Sequence, residues 1–425
     1  MSSPESSLTP RDSSRLPKSV ESLFAKLFLI LASLLICVIA IELLARFYLW
    51  HVASEEDFRF LASMTQIKDR YGDDFFVQNE ETSHRSWSPH YFLGFYPTPN
   101  HQVGTNRHNS FGFRGREFAV SKPENTYRIV TLGGSTTYSS GVDDFEISYP
   151  SLLEAYLRDK GFDAVEVINA GASGYTSHQN LINLQFRVLP LRPDLIIVYQ
   201  GFNDIQARFV YPTSKYLGDR SGSLRPFVSG IVMPDVTEYS TALRILGIRL
   251  GATASHSALD WHLLSRPNSY VGDIFVQQIQ LGTYPSGIFK EISAAEILEN
   301  NPPAHFERNY EHLIALANHS DVNILLATMA FDDDFHQTTG VSTRRFNTSD
   351  EYSFALAQHN ELTRGIGARH NSPVIDLAEL FPDDHTLFTD GLHMTEKGNR
   401  ARAQLIGDFV MRQFSQEMLA AASSS

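Results

Sequence analysis

The chain has 425 residues, 42% hydrophobic and 12% aromatic, enough for the core of one large α/β domain with appendages. A net charge of -13 argues against nucleic-acid binding, which needs a basic footprint to neutralise phosphates. The single cysteine, Cys37, excludes a disulfide within the chain and leaves the soluble part without a cysteine-based zinc cluster or catalytic thiol.

Residues 1–22 are Ser-rich and polar and read as a disordered tail. From 23 to 50 the chain is mainly apolar: 27–41 carries no charge, and the continuation carries only Glu42 and Arg46. About 20 apolar residues span a bilayer. Glu42 and Arg46, four apart, can pair on one helix face or reach the interface. A cleaved signal peptide is the other reading, but the run exceeds an h-region and no Ala-x-Ala site follows, which favours an uncleaved transmembrane anchor. Arg11, Arg15, Lys18 and Lys26 precede the span and Glu55-Glu56-Asp57 follow it, so the positive-inside rule puts the N-terminus in the cytoplasm. The remainder is then expected in the periplasm or outside the cell.

Residues 51–124 form a membrane-proximal segment rich in aromatics, Asn, Gly and Pro, ending in Asn109-Ser110-Phe111-Gly112-Phe113-Arg114-Gly115 and expected to pack on the following domain as loops and short strands. Arg114 and Arg116 have two readings there, as contacts to an anionic substrate or as salt-bridged structural arginines. A domain over 125–415 then alternates strand and helix: strands at 127–132, 165–169 and 194–199, with helices at 149–160 and 177–189. Leu195-Ile196-Ile197-Val198-Tyr199 is apolar throughout, as in a strand covered on both faces. An insertion at about 209–300, punctuated by Pro212, Gly218, Gly222, Pro226 and Pro234, interrupts the alternation. It resumes with a helix at 305–319, strand 322–328, helix 351–369, strand 374–376 and a final helix over 395–413, before a disordered tail at 416–425. The pattern predicts a doubly wound, parallel-sheet αβα sandwich with its ligand site at the carboxyl ends of the strands.

Three motifs fall at those ends. Gly133-Gly134-Ser135 closes the first strand, Asn169-Ala170-Gly171-Ala172-Ser173-Gly174 the second, and Gln200-Gly201-Phe202-Asn203-Asp204 the third. Asp390-Gly391-Leu392-His393 lies far downstream, where a tight turn can set carboxylate and imidazole on one side. A serine nucleophile needs a sharp strand exit, a base in hydrogen-bond reach and a carboxylate holding that base's tautomer. Each motif also has a plain structural reading. Gly-Gly-Ser is usually a turn, Asn203-Asp204 could cap a helix, and His393 could be a surface histidine. Ser173 echoes a nucleophile elbow without its full spacing. Asp383-Asp384-His385 and Asp332-Asp333-Asp334-Phe335-His336 read as solvated loop charges.

In this order the blocks resemble the SGNH hydrolases, or GDSL-type esterases, over roughly residues 127–414. The resemblance implies that Ser135 is the nucleophile, His393 the general base and Asp390 its orienting carboxylate. It implies an oxyanion hole made by Ser135 N–H, Gly171 N–H and the Asn203 amide. Gly134 stands where the family usually has aspartate, which puts the local loop geometry in question but removes no triad member. The expected activity is hydrolysis of carboxylic O-acyl esters, with an O-acetyl ester of cell-surface carbohydrate as first substrate. Acyl transfer to a sugar hydroxyl by the same triad is one alternative, and an idle glycan-binding or envelope scaffold protein is another. No cofactor and no metal are expected: no Walker A, full Gly-x-Gly-x-x-Gly or His-Glu-x-x-His is present, and His101 and His108 make poor candidates. The expected partners are an acylated small molecule or glycan, the membrane through the N-terminal helix, and no nucleic acid.

Overall fold

The apolar run after the N-terminal tail forms one long helix, α1 (Lys18–His51). The computed structural model describes residues 18–71, 86–90, 92–218, 236–250, 252–253, 270–333, 335 and 350–423. Arg11, Arg15, Asp334 and His336 lie outside the described residues. The chain divides into two compact units, Met1–Phe75 with Met233–Ser265, and Phe76–Val232 with Arg266–Ser425. Residues 51–75 of the expected membrane-proximal segment therefore fall in the first unit, as do residues 233–265 of the insertion.

In the first unit, Lys26–His51 is long and apolar enough to cross a membrane, and its large apolar side chains from Leu27 to Phe47 are exposed. Helices α2 (Glu55–Leu61) and α3 (Met64–Tyr71) follow. Ser54 caps α2 by accepting Asp57 N–H at 3.0 Å. Ser63 and Gln66 form a reciprocal box at the start of α3, backbone to side chain in both directions. The Thr241–Arg249 helix joins this unit: Gln66 Nε2 donates to Thr241 Oγ1 at 2.8 Å, and Arg244 Nε to Ala62 O at 2.9 Å.

The second unit opens with two short antiparallel ribbons, β1 (Trp87–His90) with β2 (Gly94–Pro97), and β3 (Gln102–Val103) with β4 (Asn106–Arg107). Its centre is a parallel sheet of β5 (Tyr127–Gly133), β6 (Val165–Asn169), β7 (Leu195–Tyr199), β8 (Asn323–Ala327) and β9 (Val374–Ile375), in the order β6-β5-β7-β8-β9. Side chains alternate between the faces as a strand requires. Tyr127, Ile129, Leu195, Ile197 and Tyr199 belong to one core, and Val130, Leu132, Ile196 and Val198 to the other. The sequence-predicted αβα sandwich is the observed fold.

Helices labelled in chain order are α4 (Ser135–Tyr138), α5 (Tyr149–Asp159), α6 (Ser177–Asn183), α7 (Phe202–Arg208), α8 (Ala304–His319), α9 (Asp350–His370) and α10 (Glu396–Ser423). The helix expected at 177–189 is α-helical over Ser177–Asn183, continues as a π turn over Leu184–Val188, and ends at a 3-10 turn, Leu189–Leu191, that contains Pro190. Helix α10 runs through the tail expected to be disordered, since Phe414 and Met418 on its inner face are buried in the core. The chain leaves β5 for β6 on one side and returns to β7 on the other. The reversal opens a crevice at the carboxyl end of β5.

Candidate active site

Both glycines ending β5 are required by what they approach. A Cβ on Gly133 would run into Thr137 Oγ1 and Tyr199 O, and one on Gly134 would meet Asn203 Nδ2 at 2.5 Å. The backbone can therefore turn directly into α4, with half-buried Ser135 as its first residue. At the start of a helix the first N–H groups have no intrahelical acceptor, so the Ser135 amide is an available donor type.

His393 Nε2 lies 2.7 Å from Ser135 Oγ, and His393 Nδ1 lies 2.8 Å from Asp390 Oδ2. The Asp390 carboxylate only accepts, so Nδ1 carries the hydrogen and Nε2 is left to accept from the Ser135 hydroxyl. Asp390 Oδ1 also accepts His393 N–H at 2.7 Å and Leu392 N–H at 3.1 Å. Burial pushes the Asp390 carboxyl up, but the His393 ring and these backbone donors outweigh it and hold the group below its ordinary value. Gly391 has φ +79, which closes the turn.

That turn is braced from β8. Asp332 N–H donates to Gly391 O at 2.9 Å, and a Cβ on Gly391 would lie 2.6 Å from Asp332 O. Asp332 itself is buried and accepts His385 Nδ1 at 2.7 Å. The reading of these two loops as solvated charges holds for the exposed Asp333, Asp383 and Asp384 and is corrected for Asp332 and His385, which tertiary folding joins beside the Asp390–His393 turn. Thr389 adds two bonds to His393 O, at 2.7 Å from its N–H and 3.1 Å from its hydroxyl.

Asn203 Nδ2 donates to Tyr175 O at 2.9 Å. Its amide nitrogen carries two hydrogens, so one remains for a second acceptor. Helix α7 has Gly201 at its N-cap, so Asn203 is no cap. Asp204 caps across the crevice instead: it accepts Ser177 N–H at 3.0 Å and Ser177 Oγ at 2.5 Å, at the start of α6. Gln200 Nε2 donates to Asp204 at 2.7 Å, and Tyr310 OH to Gln200 O at 2.8 Å. This buried network fixes the loop that carries Asn203.

Gly171 has a different use from the one expected. Its N–H donates to Asn169 Oδ1 at 3.0 Å, and a Cβ there would meet Tyr138 N at 2.5 Å. The residue lets the chain after β6 pass close against α4, and its donor is engaged within the protein. Ser173 pairs with Ser140 Oγ at 2.7 Å. Arg114 is structural: buried, it donates to Asn106 Oδ1, Tyr138 O, Ser139 O, Val142 O and Asp143 O at 2.6–3.0 Å. Arg116 pairs with Glu146 at 2.8 Å. His108 bonds Thr98 O and Tyr138 OH, and His101 Nε2 bonds Ser86 Oγ.

Residues 131–246 match the family model of the GDSL-like lipase/acylhydrolases. That part of the chain is similar to the esterases and lipases of this family. The match contains Ser135, Gly171 and Asn203 and ends before Asp390 and His393, which reach Ser135 through the fold. No curated protein matches the chain. Among solved structures, a lipase/acylhydrolase from Enterococcus faecalis is similar at 18% identity and TM-score 0.38, covering 68% of this chain and 97% of that one. An acetyl xylan esterase is similar at 17% identity and TM-score 0.37, over 67% and 99% of the two chains. An acetyl-xylooligosaccharide esterase from Geobacillus Stearmophilus gives 14% identity and TM-score 0.37, over 67% and 93%.

The motif blocks of the sequence pointed to Ser135, Gly171, Asn203, Asp390 and His393. The braces were missed. Gln200 and Asp204, four apart around Asn203, were a readable signal; Asp332 and His385, far apart in sequence, were not.

Proposed function

We propose that the chain hydrolyses carboxylic O-acyl esters with Ser135 as nucleophile, His393 as general base and Asp390 as the carboxylate that orients it. The observation that carries this reading is the unbroken relay from Asp390 Oδ2 through His393 to Ser135 Oγ, at 2.8 and 2.7 Å. Ser135 Oγ attacks the acyl carbonyl while its proton passes to His393 Nε2. The proton then goes to the leaving alcohol, and water, deprotonated by the same imidazole, releases the acid. Ser135 N–H and the second Asn203 Nδ2 hydrogen supply the oxyanion donors. Gly171 supports them by its close fit against α4.

Helix α1 is read as an uncleaved anchor with the hydrolase outside the cytoplasm, supported by the basic residues before it and acidic residues after it. That setting favours an O-acetyl ester of a surface carbohydrate as substrate. The test is turnover of p-nitrophenyl esters from acetate to octanoate, then acetate release from an acetylated glycan, each with and without the Ser135→Ala change. Release that persists without Ser135 overturns the reading, and transfer to added sugar in place of free acetate converts it to acyl transfer.

A further inference from the structure

The Thr241–Arg249 helix is inside out. Its inner side carries Thr241, Arg244 and Ile248, with Arg244 only 1% exposed, whereas Leu243, Leu246 and Leu250 are 47%, 54% and 73% exposed. Spacings of three and four put these leucines on one helical face. Val236 and Tyr239, just before the helix, are also exposed. A water-facing helix has the opposite pattern. The inner arginine is fully employed: Nε donates to Ala62 O, and Nη1 pairs with Glu238.

This helix is fastened to α1 by a carboxylate on the apolar helix. Glu42 Oε1 accepts Thr241 N–H at 2.9 Å, and Oε2 accepts Ala242 N–H at 3.1 Å and Ser240 Oγ at 2.8 Å, so Glu42 satisfies the orphan donors of the neighbouring helix. Arg46 pairs with the same carboxylate at 2.7 Å. Glu42 and Arg46 lie 16 and 20 residues after Lys26, the first residue of the candidate span (42 − 26 and 46 − 26). At 1.5 Å per residue that is about 24–30 Å, the thickness of a hydrocarbon core. The fastening thus sits where α1 emerges into the interface. The α1 side chains nearby, Leu43, Leu44 and Phe47, are exposed like those of the leucine face.

We propose that residues 236–250 form a second membrane contact, a helix lying in the headgroup–acyl boundary with Leu243, Leu246 and Leu250 in the lipid and Glu42 as its clasp. The occupant of the exposed face is the bilayer itself, because the face is fixed to the outer end of a helix long and apolar enough to cross a membrane. The inference rests on the reading of α1 as an uncleaved span.

Depth-dependent quenching on the full chain in phosphatidylcholine–phosphatidylglycerol vesicles tests it. In a Cys37→Ser background, single cysteines are introduced as Leu35→Cys, Leu246→Cys and Leu250→Cys and labelled with an environment-sensitive dye. Doxyl lipids with shallow labels should quench the dye at 246 and 250 more than those with deep labels, and the order should reverse at 35. Quenching at 35 without quenching at 246 and 250 overturns the interfacial helix and leaves the anchor intact. No quenching at any position overturns both. The unmodified chain gives an independent reading through a photoactivatable diazirine phospholipid. Crosslinks should map to 236–250 as well as to α1, and crosslinks confined to α1 overturn the proposal.

Discussion

At the scale of residues, the proposed chemistry depends on a few atoms whose positions are set by what is missing beside them. Ser135→Ala should lower ester turnover about 10⁴-fold or more, as loss of an activated serine does elsewhere. Ser173→Ala should cost little, because its hydroxyl is engaged with Ser140; steady-state kinetics on p-nitrophenyl acetate compares the two. Asn203→Ala should reduce kcat about 10²- to 10³-fold with little change in KM if its amide serves only the developing charge. Gly134→Ala tests the same donor from the other side. Its Cβ would lie 2.5 Å from Asn203 Nδ2, so the amide must move, and kcat should fall toward that of Asn203→Ala. The double variant should be scarcely worse than either single one, because both remove one interaction; additive losses would separate Gly134 from the oxyanion site. Gly134, where the family that the motifs resemble usually has aspartate, lets the amide lie this close to the backbone.

At the scale of elements, the short helix α4 is held at its C-terminal end by an arginine 24 residues upstream of Tyr138. Arg114 directs all five N–H donors, four to carbonyl oxygens at 138, 139, 142 and 143, and Arg114→Ala would remove all five bonds at once. Hydrogen bonds from a charged donor contribute about 1.5–3 kcal/mol each before non-additivity, so a loss of roughly 3 kcal/mol or more is expected. Denaturant unfolding should show the midpoint falling at constant slope, and Arg114→Lys should recover little, since one ammonium cannot reproduce the planar fork. The sheet and its helices were legible in the sequence because the longer strands carry apolar runs and β5, β6 and β7 are each followed closely by a glycine. Arg114 stood in the sequence beside a glycine-rich turn with nothing to say that its partners lay on α4. The polar, inner Thr241 and Arg244 likewise concealed a helix that follows no water-facing pattern. Helix α10 was underestimated because its alanine- and serine-rich end shows one buried methionine, Met418, rather than a continuous stripe.

At the scale of the whole molecule, pH and topology give separate readouts. Burial, partly offset by the bond from Nδ1 to Thr98 O, pushes His108 down to about 4, and burial pushes His359 down to about 3. Both stay neutral in the folded protein while the unfolded chain takes up a proton near the ordinary histidine value of about 6.5. Between about 6.5 and 4 the unfolded state binds more protons, so stability falls as the medium is acidified through that window. Thermal melts followed by circular dichroism should show the decline, and His108→Gln should flatten it. For topology, alkaline phosphatase fused at the C-terminus should be active, since it folds only where disulfides form, and a cytoplasmic reporter should be dark; the reverse would put the ester chemistry in the cytoplasm. One further consequence concerns time rather than place. Asp390 and His393 share a single turn, so imidazole and carboxylate come together through local chain alone, whereas Ser135 Oγ meets them across 258 residues. Local contacts close early and distant ones late. A nascent chain on the ribosome should therefore carry its serine inert until Asp390 and His393 have been synthesised. In refolding, the return of turnover should act as a clock for the seating of the C-terminal segment against the sheet.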